Sequence, residues 1–284
     1  MPHAPEPLNA LTIDVEDYFQ VQALEHRIPR EQWSTRPLRV AANVDRMLEL
    51  LEAAGARATF FTLAWIAERE PAMIRRMVAA GHELASHGVE HIRADRQTPA
   101  EFLADVKRAR QVLEDIGGVA VRGYRAATLS IGRGNLWAFE SLIEAGYHYS
   151  SSIYPGRHDL YGMPDAPRFA YAPVTGARFI ELPLTTVERF GMRLPSAGGG
   201  YFRLLPYAVS RANMRRVNRI DARPCIFYCH PWEIDPGQPR VDGLSLRTRV
   251  RHYTGLKGME RRLSRLLADF RWDRVDRAFP EVAA

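Results

Sequence analysis

Cysteine and lysine are nearly absent from this chain. Its 284 residues hold two cysteines, Cys225 and Cys229, and two lysines, Lys107 and Lys257. Two cysteines in one apolar run do not make a disulfide framework, which excludes a small stapled fold. A reducing compartment, by default the cytoplasm, is the expectation. On a strand the two thiols would sit about 13 Å apart, beyond disulfide reach, so they are expected to be structural. Cys229 adjoins His230, which leaves a role as a further metal ligand open. No stretch approaches the ~18 uninterrupted apolar residues of a membrane span. The opening MPHAPEPLNALTIDVEDYF has no basic segment followed by an apolar one, so no export signal is expected. Internal repeats, low-complexity tracts and a clear linker are missing too. One domain over 1–284 is expected, with an irregular insertion at about 156–203 and a helical extension at about 240–284.

What remains is a composition of 46% hydrophobic and 25% charged residues, ordinary for a globular chain long enough to bury a core. Formal net charge is +6, and arginine supplies nearly all the basic residues. They spread along amphipathic segments and are denser over 240–277. No nucleic-acid motif accompanies them, so nucleic acid is not an expected partner. A solvated surface accounts for them, as does attraction to an acidic polymer or an anionic membrane face.

Short apolar strands alternate with amphipathic helices. Strands are expected at 8–14, 58–63 (ATFFTL), 83–86, 119–124, 147–151, 179–182 and 225–229. Phe102, Val106, Ala109, Leu113 and Ile116 make a helical stripe that Thr98 and Pro99 introduce as cap and first turn. Other helices are expected at 64–80 with a break at Pro71, at 206–219 and at 258–270. The triple glycine 198–200 predicts a flexible or tight turn. Strand–helix units at this spacing predict an α/β fold with mostly parallel strands.

Three chemistry-bearing segments each follow an expected strand. They are Asp14-Val15-Glu16-Asp17, His87-Gly88-Val89-Glu90-His91 and His230-Pro231-Trp232-Glu233. In parallel α/β folds and barrels, sites form where strands end at their C-termini. Singly, each segment could be a cap, an incidental pair or a turn. Together they offer two imidazoles and a carboxylate, a common ligand set for catalytic zinc, with a spare carboxylate and histidine for acid–base work. The 87–91 segment also matches the H-x-x-E-H pattern of inverted zinc peptidases, which requires a helix. Gly81 and Gly88 argue against one.

The segments LTIDVEDYF (11–19), ATFFTLAW (58–65), GHELASHGVEH (81–91), GYRAATLS (123–130), SSSIYP (150–155), GGGYFRLLPY (198–207) and FYCHPWEID (227–235) extend this pattern along most of the chain. With them the chain resembles the polysaccharide deacetylases of carbohydrate esterase family four, the NodB-homology group. It looks most like the subgroup associated with exosortase loci. The resemblance implies a distorted parallel (β/α) barrel as a single domain. It implies Asp14 as catalytic base, Arg125 as the group orienting it, and His230 as general acid. His87 and His91 would bind a divalent metal, most simply zinc, with Glu16 as the carboxylate ligand and Asp17 as the alternative. Thr128 would present an oxyanion-binding amide, and Trp232 would flank the acyl pocket. His230 is expected across the pocket from Asp14, and metal affinity is expected to fall below roughly pH 6.5.

The implied reaction is removal of N-acetyl groups from hexosamines of a polysaccharide or its lipid-linked precursor, at the inner membrane face if the enzyme is cytoplasmic. Two residues depart from the family pattern. Ala127 replaces an expected proline and should loosen the oxyanion turn. Ser150 replaces an expected aspartate and should leave Arg125 less firmly held. Two other readings stand beside this one: an amidohydrolase of a small amide or cyclic ureide on the same scaffold, and a non-catalytic glycan-binding protein.

Overall fold

The structure, a computed structural model, describes residues 7–283. Its frame is a curled parallel sheet. Strand β1 (Asn9–Val15) is followed across the sheet by β2 (Thr59–Thr62), β3 (Glu83–Ser86), β4 (Gly123–Tyr124), β5 (Tyr149–Ser150) and β6 (Ile180–Glu181). Strands β7 (Thr186–Arg189) and β8 (Met192–Pro195) form a separate antiparallel hairpin. Strand β9 (Ile226–Cys229) returns to pair along β1, and β10 (Trp272–Asp273) pairs with the first residues of β1. Every pairing in the eight-stranded sheet is parallel.

The curl does not close by a strand ladder between β6 and β9. The segment leaving β6 fills the gap instead. Thr185 Oγ1 accepts from the Ile226 amide at 2.7 Å, and Ala197 O accepts from the Tyr228 amide at 2.6 Å. The fold is therefore a distorted parallel barrel in one domain, as the resemblance implied, and its parallel pairing is what the strand–helix alternation predicted. Among the described residues no helix is long and apolar enough to cross a membrane.

Helices α1 (Val40–Ala53), α2 (Ala64–Arg69), α3 (Pro71–Ala79), α4 (Pro99–Gly117) and α5 (Trp137–Glu144) cover the outside of the first strands. Pro71 starts α3, where a missing N–H costs nothing. The predicted stripe on α4 is buried at Phe102, Val106, Ala109 and Leu113, and a Thr98–Glu101 capping box opens the helix. Phe102, Val106 and Leu113 each contribute roughly 1.5–3 kcal/mol by leaving water. The strand expected at 119–124 shortens to its last two residues, because only Tyr124 finds a ladder partner on β3.

The triple glycine is not a loose loop. It opens α6 (Gly199–Leu204), and Gly198 (φ 113°) bridges to Tyr228. A Cβ at Gly198 would lie 2.1 Å from the Tyr228 carbonyl oxygen, so backbone approach demands glycine there. Helix α7 (Tyr207–Arg216) ends in a wider turn, and α8 (Leu246–Tyr253), α9 (Leu256–Asp269) and α10 (Val275–Ala278) follow. The segment expected as a helical extension thus also contributes β10 to the main sheet. Cys225 and Cys229 are free and buried, and burial pushes both thiols up from their ordinary pKa.

Candidate metal and acid–base site

Strand register lines the site residues up in one layer. Val15 pairs with Thr62, Thr62 with Ser86, Ser86 with Tyr124 and Tyr124 with Ser150. His87, Arg125, Ser151 and His230 are each the first residue past their strand, and Asp14 is the penultimate residue of β1. Parallel pairing therefore brings five distant segments to one rim.

Glu16, His87 and His91 form the one group among the described residues whose ligand atoms could share a cation, all lying within 4.8 Å of one another. All three are buried. His87 Nδ1 meets the Arg125 carbonyl oxygen at 2.8 Å. That oxygen can only accept, so Nδ1 carries the proton and Nε2 keeps its lone pair. Glu16 Oε2 lies 3.1 Å from His91 Nε2 yet has no hydrogen-bond partner. A buried, unpartnered carboxylate oxygen beside two imidazoles is a donor set whose chemistry fits a divalent cation. Burial lifts the Glu16 carboxyl to about 7, opposed by the charge of His230 and a hydrogen bond from Trp232. Burial holds both imidazoles below their ordinary 6.5. The neutral, ligating form thus persists further into acid than the unperturbed value implies.

The 87–91 segment is a loop, which removes the helix that a peptidase of the H-x-x-E-H type needs. Gly88 (φ 84°) turns the chain so that both rings face inward, and His91 itself is left-handed (φ 54°). Arg30 holds that turn, donating to Glu90 O at 2.9 Å and His91 O at 3.1 Å. Asp17, the alternative ligand, is not available. Its Oδ2 accepts from the amides of Arg39 (2.6 Å) and Val40 (2.9 Å), and its Oδ1 from Tyr18 (2.8 Å). It caps α1, whose own first residues offer no capping side chain.

Asp14 Oδ1 accepts from Arg125 Nη1 at 2.6 Å. The expectation that Ser150 leaves Arg125 loosely held is overturned. Nη1 also donates to Thr12 Oγ1, Nε to Ser151 O and Nη2 to Ser151 Oγ, all within 2.9 Å, and Phe61 lies 4.2 Å from the guanidinium carbon. A buried carboxyl on the next strand fixes that support. Glu181, in register with Ser150, accepts from the amides of Ser152 and Ile153 at 2.9 and 2.8 Å. The turn at Ala127 is likewise held without proline. Leu129 N donates to Ala126 O, Ala126 N to Ser152 Oγ and Ser130 Oγ to Ala127 O. Thr128 is left-handed there (φ 55°), and its buried Oγ1 has no partner.

His230 does not sit across the pocket. Its Nε2 is 3.6 Å from Glu16 Oε1 and 4.0 Å from Asp14 Oδ2, because β9 is the direct neighbour of β1. Glu233 lies behind it. Glu233 Oε2 meets His230 Nδ1 at 3.1 Å, and Glu233 Oε1 accepts from Arg203 Nε at 2.6 Å. Burial opposes charge on His230, but the Glu233 hydrogen bond and the charges of Glu16, Glu233 and Asp14 outweigh it and lift the imidazole to about 9. Glu233, despite burial, is pulled down to about 2 by Arg203 and His230. The two acid–base groups are therefore each backed by a buried opposite charge: Arg125 behind Asp14, Glu233 behind His230.

Arg203 also donates to the carbonyl oxygens of Arg251, His252 and Thr254, tying α6 to the end of α8. Arg203→Leu is expected to destabilise the fold by roughly 3–5 kcal/mol, because Glu233 would lose its buried cation. Urea unfolding measures this, and adding Glu233→Gln should recover part of the loss.

Trp232 stacks on His230 (5.2 Å, 22°) and His252 (4.5 Å, 17°) and donates from Nε1 to Glu16 Oε1 at 3.1 Å. Its polar edge supports the carboxylate as well as lining the pocket. Trp232→Phe should keep the stack but lower metal affinity by about 10–100-fold, the usual range for a lost partner of a ligand. Titration with a competing chelator measures it. The sequence names Glu233 in its segment but gives it no role, and it assigns none to Arg203, Ser151, Arg30 or Glu181. Only Glu233 left a signal, its i,i+3 spacing from His230.

Asp14, Glu16, His87, His91, His230 and Trp232 line a cavity of about 260 Å³ that Tyr161, Tyr201, Leu204 and Arg251 complete. The polysaccharide deacetylase family model matches residues 34–149, and a domain of unknown function (DUF3473) matches 151–280. Asp14 and Glu16 precede the first match, and His230 lies in the second. Yet β5 and β6, on opposite sides of that boundary, pair directly. YheN of Bacillus subtilis (strain 168), provisionally described as a polysaccharide deacetylase, is 37% identical over 28% of this chain and 28% of its own. A chitooligosaccharide deacetylase of Bradyrhizobium sp. (strain ANU 289) is 37% identical over 24% of this chain and 31% of its own. The matches thus span about a third or less of those relatives. A crystal structure from Mycobacterium smegmatis, provisionally described as a polysaccharide deacetylase, aligns over 100% of this chain and 92% of its own, with TM-score 0.64 and 18% identity.

Proposed function

We propose, from the premise that this chain belongs to the polysaccharide deacetylase family, that it hydrolyses N-acetyl groups from hexosamines of a glycan with a zinc ion as cofactor. The observation that carries the reading is the buried Glu16–His87–His91 donor set, its Glu16 Oε2 without a partner, beside the Arg125-paired carboxylate of Asp14 and the Glu233-backed imidazole of His230. Two histidines and a carboxylate suit zinc and leave a position open. What a divalent cation supplies at such a site is Lewis acidity toward an amide carbonyl and toward water.

The chain's own groups do the rest. Asp14, oriented by Arg125, accepts the proton of the attacking water at Oδ2, the oxygen that Arg125 does not occupy. The left-handed turn at Thr128 borders the cavity and would present its amide to the developing oxyanion. His230 gives its Nε2 proton to the leaving nitrogen, which is too basic to depart as an anion. Glu233 holds the imidazolium in place through Nδ1. Acetate and a free amino sugar result. The enzyme would work where a glycan precursor is accessible at the inner membrane face, consistent with its arginine-rich surface.

The test is acetate release from N-acetylglucosamine oligomers by zinc-loaded protein, with Asp14→Asn as control. Release that the control abolishes is the expected result. Metal-loaded protein that opens a cyclic ureide and frees no acetate would shift the assignment to the small-amide reading. Protein that binds oligomers but hydrolyses neither would make it a glycan-binding protein.

A further inference from the structure

We infer that the rim of the catalytic cavity built by α6, α8 and the loop 156–162 is a docking surface for an anionic lipid bilayer, so that the cavity opens onto the headgroup layer. This rests on the reading above, in which a glycan precursor is met at a membrane face. Five of the twelve large hydrophobic side chains that stand exposed among the described residues gather here. Tyr201 (41%) and Leu204 (42%) of α6 and Leu160 (40%) of the loop line the cavity and also face solvent, so they form its lip. Leu246 (77%) and Val250 (46%) of α8 are the other two.

Contacts make the three pieces one surface. Arg203 of α6 donates to the carbonyl oxygens of Arg251, His252 and Thr254 at the end of α8. Arg247 and Arg251, one turn apart on α8, both donate to Asp159, the neighbour of Leu160, at 2.8 and 3.2 Å. Leu246 and Val250 are also one turn apart, so they share a face of the helix. Arg247 and Arg251 flank that face on one side, and exposed Arg249 flanks it on the other. The helix is buried at His252, which stacks on Trp232.

Clustered exposed apolar side chains mark an interaction site, and the charges say which occupant it takes. Helix α8 carries Arg247, Arg249 and Arg251 and no acidic residue. Asp159 is the one carboxylate bound to them among the described residues, so the face keeps a net positive charge. Apolar side chains ringed by arginine suit the boundary between anionic headgroups and acyl chains, where leucine enters the chains and guanidinium stays with phosphate. A second copy of this chain suits the face poorly, because a two-fold contact through α8 sets like charges together. Nucleic acid would take the arginines and leave the leucines in water. The cavity mouth lies within the same lip, so a sugar head can enter it while its lipid anchor stays in the bilayer.

The experiment is co-sedimentation of the full chain with vesicles of phosphatidylcholine alone and of phosphatidylcholine with an equal part of phosphatidylglycerol. At low salt the mixed vesicles should bind at least about tenfold more tightly, and the margin should shrink as salt screens the arginines. Leu246→Asp combined with Val250→Asp should weaken binding to the mixed vesicles at least about tenfold, because both apolar insertions are lost. Arg249→Gln should weaken it about fivefold, roughly the worth of one arginine near an anionic surface. Phe190→Asp, between β7 and β8 and 93% exposed, is the control and should bind as the parent does. Circular dichroism establishes that each variant is folded. Equal sedimentation with both kinds of vesicle overturns the proposal, as does binding that survives the double substitution or falls with Phe190→Asp. A dimer that the double substitution dissociates gives the face to a second copy and overturns it too. Vesicle binding involves no turnover. Failure of acetate release by the wild-type protein would therefore count against the reaction and leave the vesicle result standing.

Discussion

Alanine at both His87 and His91 will leave the chain without a retained divalent metal and its deacetylase activity at background. The pair supplies two of the three ligand atoms that lie within 4.8 Å of one another. Glu16 alone remains, and one carboxylate does not compete for zinc against buffer and water. The expected loss of activity is several orders of magnitude, since water at neutral pH is a poor nucleophile unless a metal acidifies it, from a pKa of 15.7 to about 7. The fold should survive. The rings occupy the rim beyond the strand ends, and the segment is held by Arg30 and by α2, whose first amides donate to the carbonyl oxygens of Gly88 and Val89. Elemental analysis after dialysis, alongside circular dichroism, separates the two effects. A folded double variant that retains one zinc per chain would remove the site.

His230→Ala will lower kcat by about 10²–10⁴-fold, the usual worth of a positioned general acid, while metal content stays full. The sign of the pH dependence follows from the raised imidazole. At about 9 in this environment, against an ordinary 6.5, His230 is protonated at neutral pH and loses its proton as the pH rises. The basic limb of kcat therefore lies between those two values. It lies below the upper one in the loaded enzyme, because a bound cation offsets the Glu16 charge that helps to raise the imidazole. Glu233→Gln removes the hydrogen-bonded carboxylate and should move the limb toward 6.5, with a smaller loss in kcat than His230→Ala. A His230→Ala enzyme with unchanged kcat and the same basic limb would place the acid elsewhere.

The residues that carry this chemistry were legible because each sits in a short polar segment that interrupts an apolar strand pattern. Asp14, His87 and His230 could be located that way, and so could the mostly parallel strands, since strands and helices alternate with their own periods, whereas Arg125 and the barrel came from the family resemblance. Motif spacing alone did not separate Glu16 from Asp17. Both follow β1, and the choice turns on the α1 N-terminus, which lies more than 20 residues away and draws Asp17 out of the site. Nor could the pattern show that Ser150 is harmless. The support for Arg125 comes from Ser151, Thr12 and a carboxyl on β6, positions related only through sheet register.

What the amino-acid order determined by itself is therefore local: element type, the glycines and caps that bound the elements, and the supply of donors at strand ends. Side-chain periodicity and backbone preference act over a few residues, so they can be read from a few residues. The tertiary structure decided which donors meet. The return of β9 beside β1 brought His230 within 4.0 Å of Asp14 instead of across the pocket. The packing of α6 against the end of α8 brought Arg203 to Glu233, the carboxylate that backs His230. A hydrogen-bonded ion pair forms only when its groups come within a few ångströms, and contact between residues some 30 to 200 positions apart is a property of the fold.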